Sequence, residues 1–293
     1  MTGSTEIVGT KSGKTSLLIR RIIAYVVLIA LVIISLLPFY LLLINATRER
    51  RQVGIQWYPG PELKSNWSKL FSGSTAVAYG NVFKALMNSL IISAGASVLC
   101  VYFSALTAYA THVYQFKLRK FADTFILLVM MVPTQASAIG FYRLMISWKL
   151  TDSFIPLIIP AIAAPSTYYF MKQYMASSLP LEIVEAARID GCGEFRTFNT
   201  IVAPILKPAF AVQMIFTFVG NWNNFFMPRL IISDKEKYTI PLVLSAMNHA
   251  GPQEQDLGIF YLYMVLAILP VVIVYLLLSK YIIRGIALGS VKG

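Results

Sequence analysis

The chain has 293 residues, of which 57% are apolar and only 13% charged, with a mean hydropathy of +0.67. Soluble domains carry about 25% charged residues, so this balance excludes a water-soluble monomer and points to lipid as the solvent. The formal charge of +12 does not indicate nucleic-acid binding, because the basic residues form short clusters beside apolar runs, not one long basic face.

Six uncharged stretches follow one another, at residues 22–44, 85–110, 124–142, 153–171, 208–228 and 257–279. Crossing about 30 Å of hydrocarbon takes roughly 20 helical residues, so each stretch is long enough to span. Each is expected as an unbroken helix, since only a helix satisfies its own backbone in lipid. The fold class is therefore all-α, a polytopic membrane protein with six transmembrane helices. The first stretch follows Arg20 and Arg21, is too long for a signal peptide and lacks a small-residue cleavage site, so it reads as a retained anchor. The segment from Gly9 to Thr15 imitates a phosphate loop, but its first glycine would fall at Val8 and no strand precedes it. Any nucleotide site is thus expected on another chain.

An even number of spans places both termini on one side. Arg20 with Arg21, and Lys117 with Arg119 and Lys120, make that side cytosolic by the positive-inside rule. The chain then reads as a cytosolic N-terminal tail (1–21), a first span with an outer loop (22–84), a transmembrane core of spans two to six (85–283) and a cytosolic C-terminal tail (284–293). Trp57, Tyr58 and Trp67 in the outer loop suit either a protein contact or an interfacial lip, the lip being preferred. Pro156, Pro160 and Pro165 fall in the fourth stretch and predict a bent helix there. Cys100 and Cys192, with His112 and His249, fit neither a disulfide framework nor a metal-ligand spacing, so no metal is expected.

The connection between the fourth and fifth stretches, residues 177–204, is charged yet patterned like two short helices. Pro180 suits a first helical turn, Glu182 and Glu185 favour its positive end, and Gly191 can take the left-handed conformation that stops it. Ala186 and Ala187 keep one side low enough for close approach of a partner surface. Beyond the glycine, Phe195, Phe198, Ile201 and Val202 recur as an apolar stripe that Pro204 and Pro208 end. The expectation is a helix-turn-helix facing the cytosol.

Glu185, Ala186 and Ala187, then Asp190 and Gly191, then Ile201 and Pro204 resemble, at their spacing, the signature loop of the permease subunits of bacterial ABC importers. Ala203 stands where leucine is common. The closing segment from Lys280 to Gly293 and the element Gly220-Asn221-Trp222-Asn223-Asn224-Phe225 are similar to the carbohydrate, maltose-type branch and to its smaller six-span member. The resemblance covers nearly the whole chain from Arg20. It implies a plasma-membrane sugar importer built from this chain, a second homologous permease, two ATPase subunits and an extracellular solute-binding protein. ATP and magnesium would sit on the ATPase, with no cofactor on this chain, and residues 177–204 would be the coupling loop.

Polar groups inside lipid are costly and are expected to face a pore or a neighbouring helix. Asn221, Asn223 and Asn224, with Trp222 and Phe225, form the densest such set and could offer amides and an aromatic face to a sugar. Asn88 and Gln135 are further candidates for the solute path. No Arg or Lys interrupts the six stretches, which favours an uncharged sugar, although Arg143, Lys149 and Arg229 at their ends leave acidic solutes open. The alternatives are an ABC permease for a polyol, glycerophosphate or polyamine, or a polytopic membrane enzyme. An enzyme would need paired carboxylates or a His-Glu motif, whereas Asp123, close to the start of a span, has no second acid beside it in sequence.

Overall fold

The computed structural model describes residues 11–48, 56–72, 75, 78–249 and 256–289. The ends of both tails, and part of each of the two loops at 49–55 and 250–255, lie outside the described residues. Among the described residues the secondary structure is helical throughout. In chain order the helices are α1 (Lys11–Asn45), α2 (Leu63–Leu70), α3 (Val82–Val113), α4 (Arg119–Val129), α5 (Thr134–Ser147), α6 (Ile155–Ile158), α7 (Pro165–Ser178), α8 (Leu181–Ile189), α9 (Glu194–Thr197), α10 (Ala203–Ile205), α11 (Lys207–Trp222), α12 (Phe226–Ile231), α13 (Ile240–Asn248) and α14 (Leu257–Gly289).

α1, α3 and α14 are each long and apolar enough to cross a membrane unaided. The stretches at 124–142 and 208–228 are not the unbroken helices their composition suggests, and the one at 153–171 is interrupted, as its three prolines predict. α4 and α5 meet at a 93° bend. Pro133 has no N–H and disfavours a helical Val132, so the helix stops and restarts. In the next stretch α6 passes into a 3-10 turn, Ile159–Ile162, and then breaks. Ala164, the residue before Pro165, is extended at φ −119° and ψ 86°. α11 ends at Trp222, and Asn224 accepts the Met227 N–H through its own side chain at 3.3 Å, competing with the helical backbone.

The chain divides into two compact units, Met1–Trp67 with Asp256–Val265, and Ser68–Gln255 with Leu266–Gly293. In the first, Asn45 closes the return of the chain after α1, with its amide donating to Leu41 O at 2.7 Å and its carbonyl accepting from Gln56 N at 3.1 Å. Asn66 donates to the carbonyls of Ala46 and Arg48 at 3.0 and 2.7 Å. A Cβ at Gly258 would lie 2.4 Å from Arg48 O, so this close approach requires glycine. Trp57 and Tyr58 remain exposed, as an interfacial lip would require.

In the second unit α3 is the central helix. Ala85, Ser89, Ser93, Ala96, Ser97, Ser104, Ala105 and Ala108 form a buried strip of small side chains along it. Such a strip lets neighbouring backbones approach closely, which is how helices pack where lipid supplies no hydrophobic drive. One core joins α3 to α7, α8 and α11 through Tyr109, Tyr168, Met171, Val184, Phe198 and Ala209. Another gathers Ile92, Met145, Leu157, Ile231 and Leu242. Asp123 is not a free acid: Lys172 Nζ lies 2.5 Å from its carboxylate and the Tyr168 hydroxyl donates to it.

Candidate functional site

The segment between α7 and α11 folds as a helix, a tight turn and a second, irregular helix. α8 starts after Pro180 and stops at Gly191, whose φ is +75°. The Gly191 N–H donates to Arg188 O at 3.0 Å and the Cys192 N–H to Ala187 O at 2.9 Å. These two bonds are the Schellman arrangement, satisfying carbonyls that the end of a helix would orphan. Beyond the turn, α9 passes into a π turn at Phe198–Val202 and then into α10. Pro204 cannot donate to the carbonyl one turn before it, and the ladder widens there. The segment from α9 to α10 meets α11 at 82°.

Of the motif residues, Glu185, Ala186, Asp190, Gly191 and Pro204 are exposed and Ile201 is half-buried. Ala187 is 5% exposed and packs inward with Val184, so the low outer side is Ala186 alone. The apolar stripe also needs correction. Phe198 and Val202 are buried, but Phe195, in the first turn of α9 and ahead of the π turn, is 68% exposed. Ile189, at 86% exposed, stands on the same turn. The turn thus presents two apolar side chains, a carboxylate at Glu185 and the close-approach surface of Ala186.

The polar set at the end of α11 is dispersed. Asn221 donates to Thr217 O within its own helix at 2.8 Å. Trp222 is 2% exposed, stacks on Phe218 with ring centroids 5.7 Å apart, and donates its indole N–H to Ala267 O at 3.0 Å. Its ring has no face open to a solute, so the aromatic platform expected there is a packing element. Asn223 is exposed and Asn224 caps α12. Asn88 donates to Glu236 O and Tyr238 O, both at 3.0 Å, and so ties down the loop before α13. Gln135 is exposed near the bend between α4 and α5.

Phe225 alone of that set lines a polar recess among the described residues. This cavity, about 570 Å³, is walled by Phe225, Arg229, Tyr238, Leu242, Ser245, Ala246 and His249. His249 donates Nδ1–H to Ser245 O at 2.6 Å in this tautomer, leaving Nε2 as an acceptor. Among the described residues no ion pair joins the Arg229 guanidinium, and no carboxylate lines the recess. Two aromatic rings, a guanidinium, a hydroxyl and an imidazole can hold a hydroxyl-rich solute of sugar size. Tyr238 and His249 stand outside the apolar stretches, where sequence periodicity gives no signal. Among the described residues no group of three His, Cys, Asp or Glu side chains could hold a metal.

Residues 100–288 match the family described as binding-protein-dependent transport system inner membrane component. The chain belongs to this family. Its relatives include the arabinooligosaccharides transport system permease protein AraQ of Bacillus subtilis, 34% identical over 280 residues, which cover 94% of this chain and 97% of that protein. The maltodextrin transport system permease protein MdxG of the same organism is 30% identical over 285 residues, 96% of this chain and 100% of that one. In fold, the chain is similar to a chain of a bacterial ABC transporter involved in the import of the acidic polysaccharide alginate. The TM-score is 0.77 at 20% identity, covering 94% of this chain and 99% of that one. The chain is accordingly a multi-pass inner-membrane transport component, and its relatives are transport permeases.

Proposed function

We propose that this chain is the sugar-translocating permease subunit of an ABC importer, carrying a sugar or oligosaccharide across the bacterial plasma membrane. The bent pair α4–α5, the interrupted stretch at 153–171 and α11 each count as one span beside α1, α3 and α14, giving six with both termini in the cytosol. The turn around Glu185 to Gly191 docks on a separate ATPase, which holds the ATP and magnesium. A second homologous permease completes the pore, and an extracellular binding protein delivers the solute. The observation that carries the reading is the turn itself: an ordered, Schellman-capped helix end that exposes Ile189, Phe195 and Glu185 together. Closure of the ATPases would drag this element and shift the helices between inward and outward openings, a two-state exchange driven by differential contacts. On the outer side, the recess around Phe225 and Arg229 is the solute wall contributed by this chain, and the sugar naming of AraQ and MdxG supports the solute class.

The test is uptake of labelled arabino- and malto-oligosaccharides by cells expressing the wild-type chain, a deletion and Gly191→Pro. Uptake that is lost in the deletion and in a correctly inserted Gly191→Pro chain supports the reading; unchanged uptake in both contradicts it. Arg229, which no ion pair joins among the described residues, favours one second reading, a permease for an anionic solute such as a glycerophosphate. Uptake of labelled glycerol phosphate in preference to the oligosaccharides would select it.

A further inference from the structure

Tyr102 and Tyr109 lie seven residues apart on α3, two turns along one face, so their side chains are separated by about 10 Å of helix axis. Both hold the helix-turn-helix that follows α7, although α3 is remote from it in sequence. The Tyr109 hydroxyl donates to Glu194 Oε2 at 2.9 Å, while Arg188 Nε donates to Oε1 of the same carboxylate at 2.6 Å. The Arg188 guanidinium also lies over the Tyr114 ring, 5.3 Å from its centroid, just beyond the end of α3. One carboxylate at the start of α9 therefore binds the last turn of α8 and the end of α3 at once. At the other point the Tyr102 hydroxyl donates to Asn199 Oδ1 at 3.1 Å, on the π turn. Between the two ties Phe198 is fully buried, with its ring centroid 5.7 Å from that of Tyr102 and 5.4 Å from that of Tyr109.

A single contact would let the turn pivot on α3, whereas two contacts with a wedged ring between them fix its angle. The exposed side of the turn carries Glu185, Ile189 and Phe195, none of which takes part in the ties. We propose that Glu194, Arg188, Tyr109 and Tyr102 are positioning residues that make α3 the helix receiving the motion of the docking turn. This rests on the reading of the turn as the ATPase-docking element. The small-residue strip of α3 packs closely against α7 and α11, so rotation of α3 would be passed to both. Salt would weaken the Arg188–Glu194 part of the tie, whose side chains are 37% and 40% exposed, more than the hydrogen bonds from Tyr109 and Tyr102.

The experiment uses the assembled importer in proteoliposomes, with solute uptake and ATP hydrolysis measured on the same vesicles. For Glu194→Gln, uptake per ATP hydrolysed is expected to fall about ten-fold, on the scale of one charge-assisted hydrogen bond. Tyr109→Phe, which keeps the ring and its packing, should lower the same ratio by about ten-fold as well, since its hydroxyl also donates to the charged carboxylate. Glu194→Gln combined with Arg188→Gln should be no worse than Glu194→Gln alone, because both act through one carboxylate. An unchanged ratio in Glu194→Gln and Tyr109→Phe, with ATPase subunits bound as in the wild type, overturns the tie and leaves the docking reading standing. If Glu194→Gln does not assemble, Tyr109→Phe decides alone. Absence of an ATPase subunit from the wild-type complex overturns the docking reading and the tie with it.

Discussion

The indole N–H of Trp222, at the last residue of α11, donates to the backbone carbonyl of Ala267 in α14 at 3.0 Å, with the ring stacked on Phe218. A buried aromatic that also bonds a neighbouring helix is a structural clamp. Trp222→Ala should cost about 3 kcal/mol, from the cavity it leaves and the carbonyl it strands. Trp222→Phe should cost about 1 kcal/mol, since it keeps an aromatic ring and loses one hydrogen bond. Thermal unfolding in a mild detergent separates the two. A Trp222→Ala chain as stable as wild type but inactive in uptake would return the residue to the solute path.

Gly191 sits in open space, so a side chain there meets no neighbour and only the backbone decides. At φ +75° an L-residue pays about 1 kcal/mol, which is the expected loss for Gly191→Ala. Gly191→Pro cannot adopt that angle and lacks the N–H that Arg188 O accepts, so the Schellman turn is lost outright. Uptake should be near background in Gly191→Pro and close to wild type in Gly191→Ala, in chains shown by protease mapping to be inserted alike.

Arg188, with lesser help from Tyr114 and Tyr109, holds the Glu194 carboxyl at about 2, below its ordinary 4.5. The lowered value means that Glu194 contributes stability fully above about 4.5 and loses it as pH falls through 2. Wild type and Glu194→Gln should therefore differ in melting temperature by the same amount from pH 8 to pH 5, and the gap should close below pH 4.5. A gap that shrinks between pH 8 and pH 6 would contradict this assignment.

Asp152, at φ 54°, accepts the Ser233 and Asp234 N–H groups on one oxygen at 2.6 and 2.8 Å. These backbone bonds hold its carboxyl below the usual carboxylate range. Asp152→Ala should free the segment around 232–237 at a cost of about 2 kcal/mol, the scale of hydrogen bonds to a charged acceptor. Asp152→Asn, which keeps an acceptor and tolerates the left-handed backbone, should cost about half as much. Hydrogen exchange of residues 232–237 reads the difference directly.

Composition and run length were enough to read an all-helical membrane protein, and the letters from Glu185 to Pro204 were enough to read its family. Gly191 was legible because its conformational need is local. The bend before Pro165 was legible from three prolines in one stretch, whereas the break at Pro133 was harder, since a single proline is tolerated in a membrane helix whenever neighbours re-satisfy the backbone. Trp222 misled because an indole is equally suited to stacking on a sugar and to packing, and only the position of Ala267 separates the two. Phe195 fits the stripe by spacing, yet it stands in the first turn of α9 and faces outward, which spacing alone does not reveal. The tie from Tyr109 to Glu194 joins residues 85 positions apart, beyond the reach of any local pattern. The small residues of α3, by contrast, were visible at three- and four-residue spacing and went unused.

The most direct measurement of the central claim is purification of this chain from its native membranes in a mild detergent, followed by quantitative mass spectrometry of what stays bound. The expected result is a second multi-span permease in equal amount and an ATPase subunit in twice that amount, with the ATPase lost from Gly191→Pro. A chain that emerges alone or only with itself, in a detergent that keeps an established importer intact, would contradict the account.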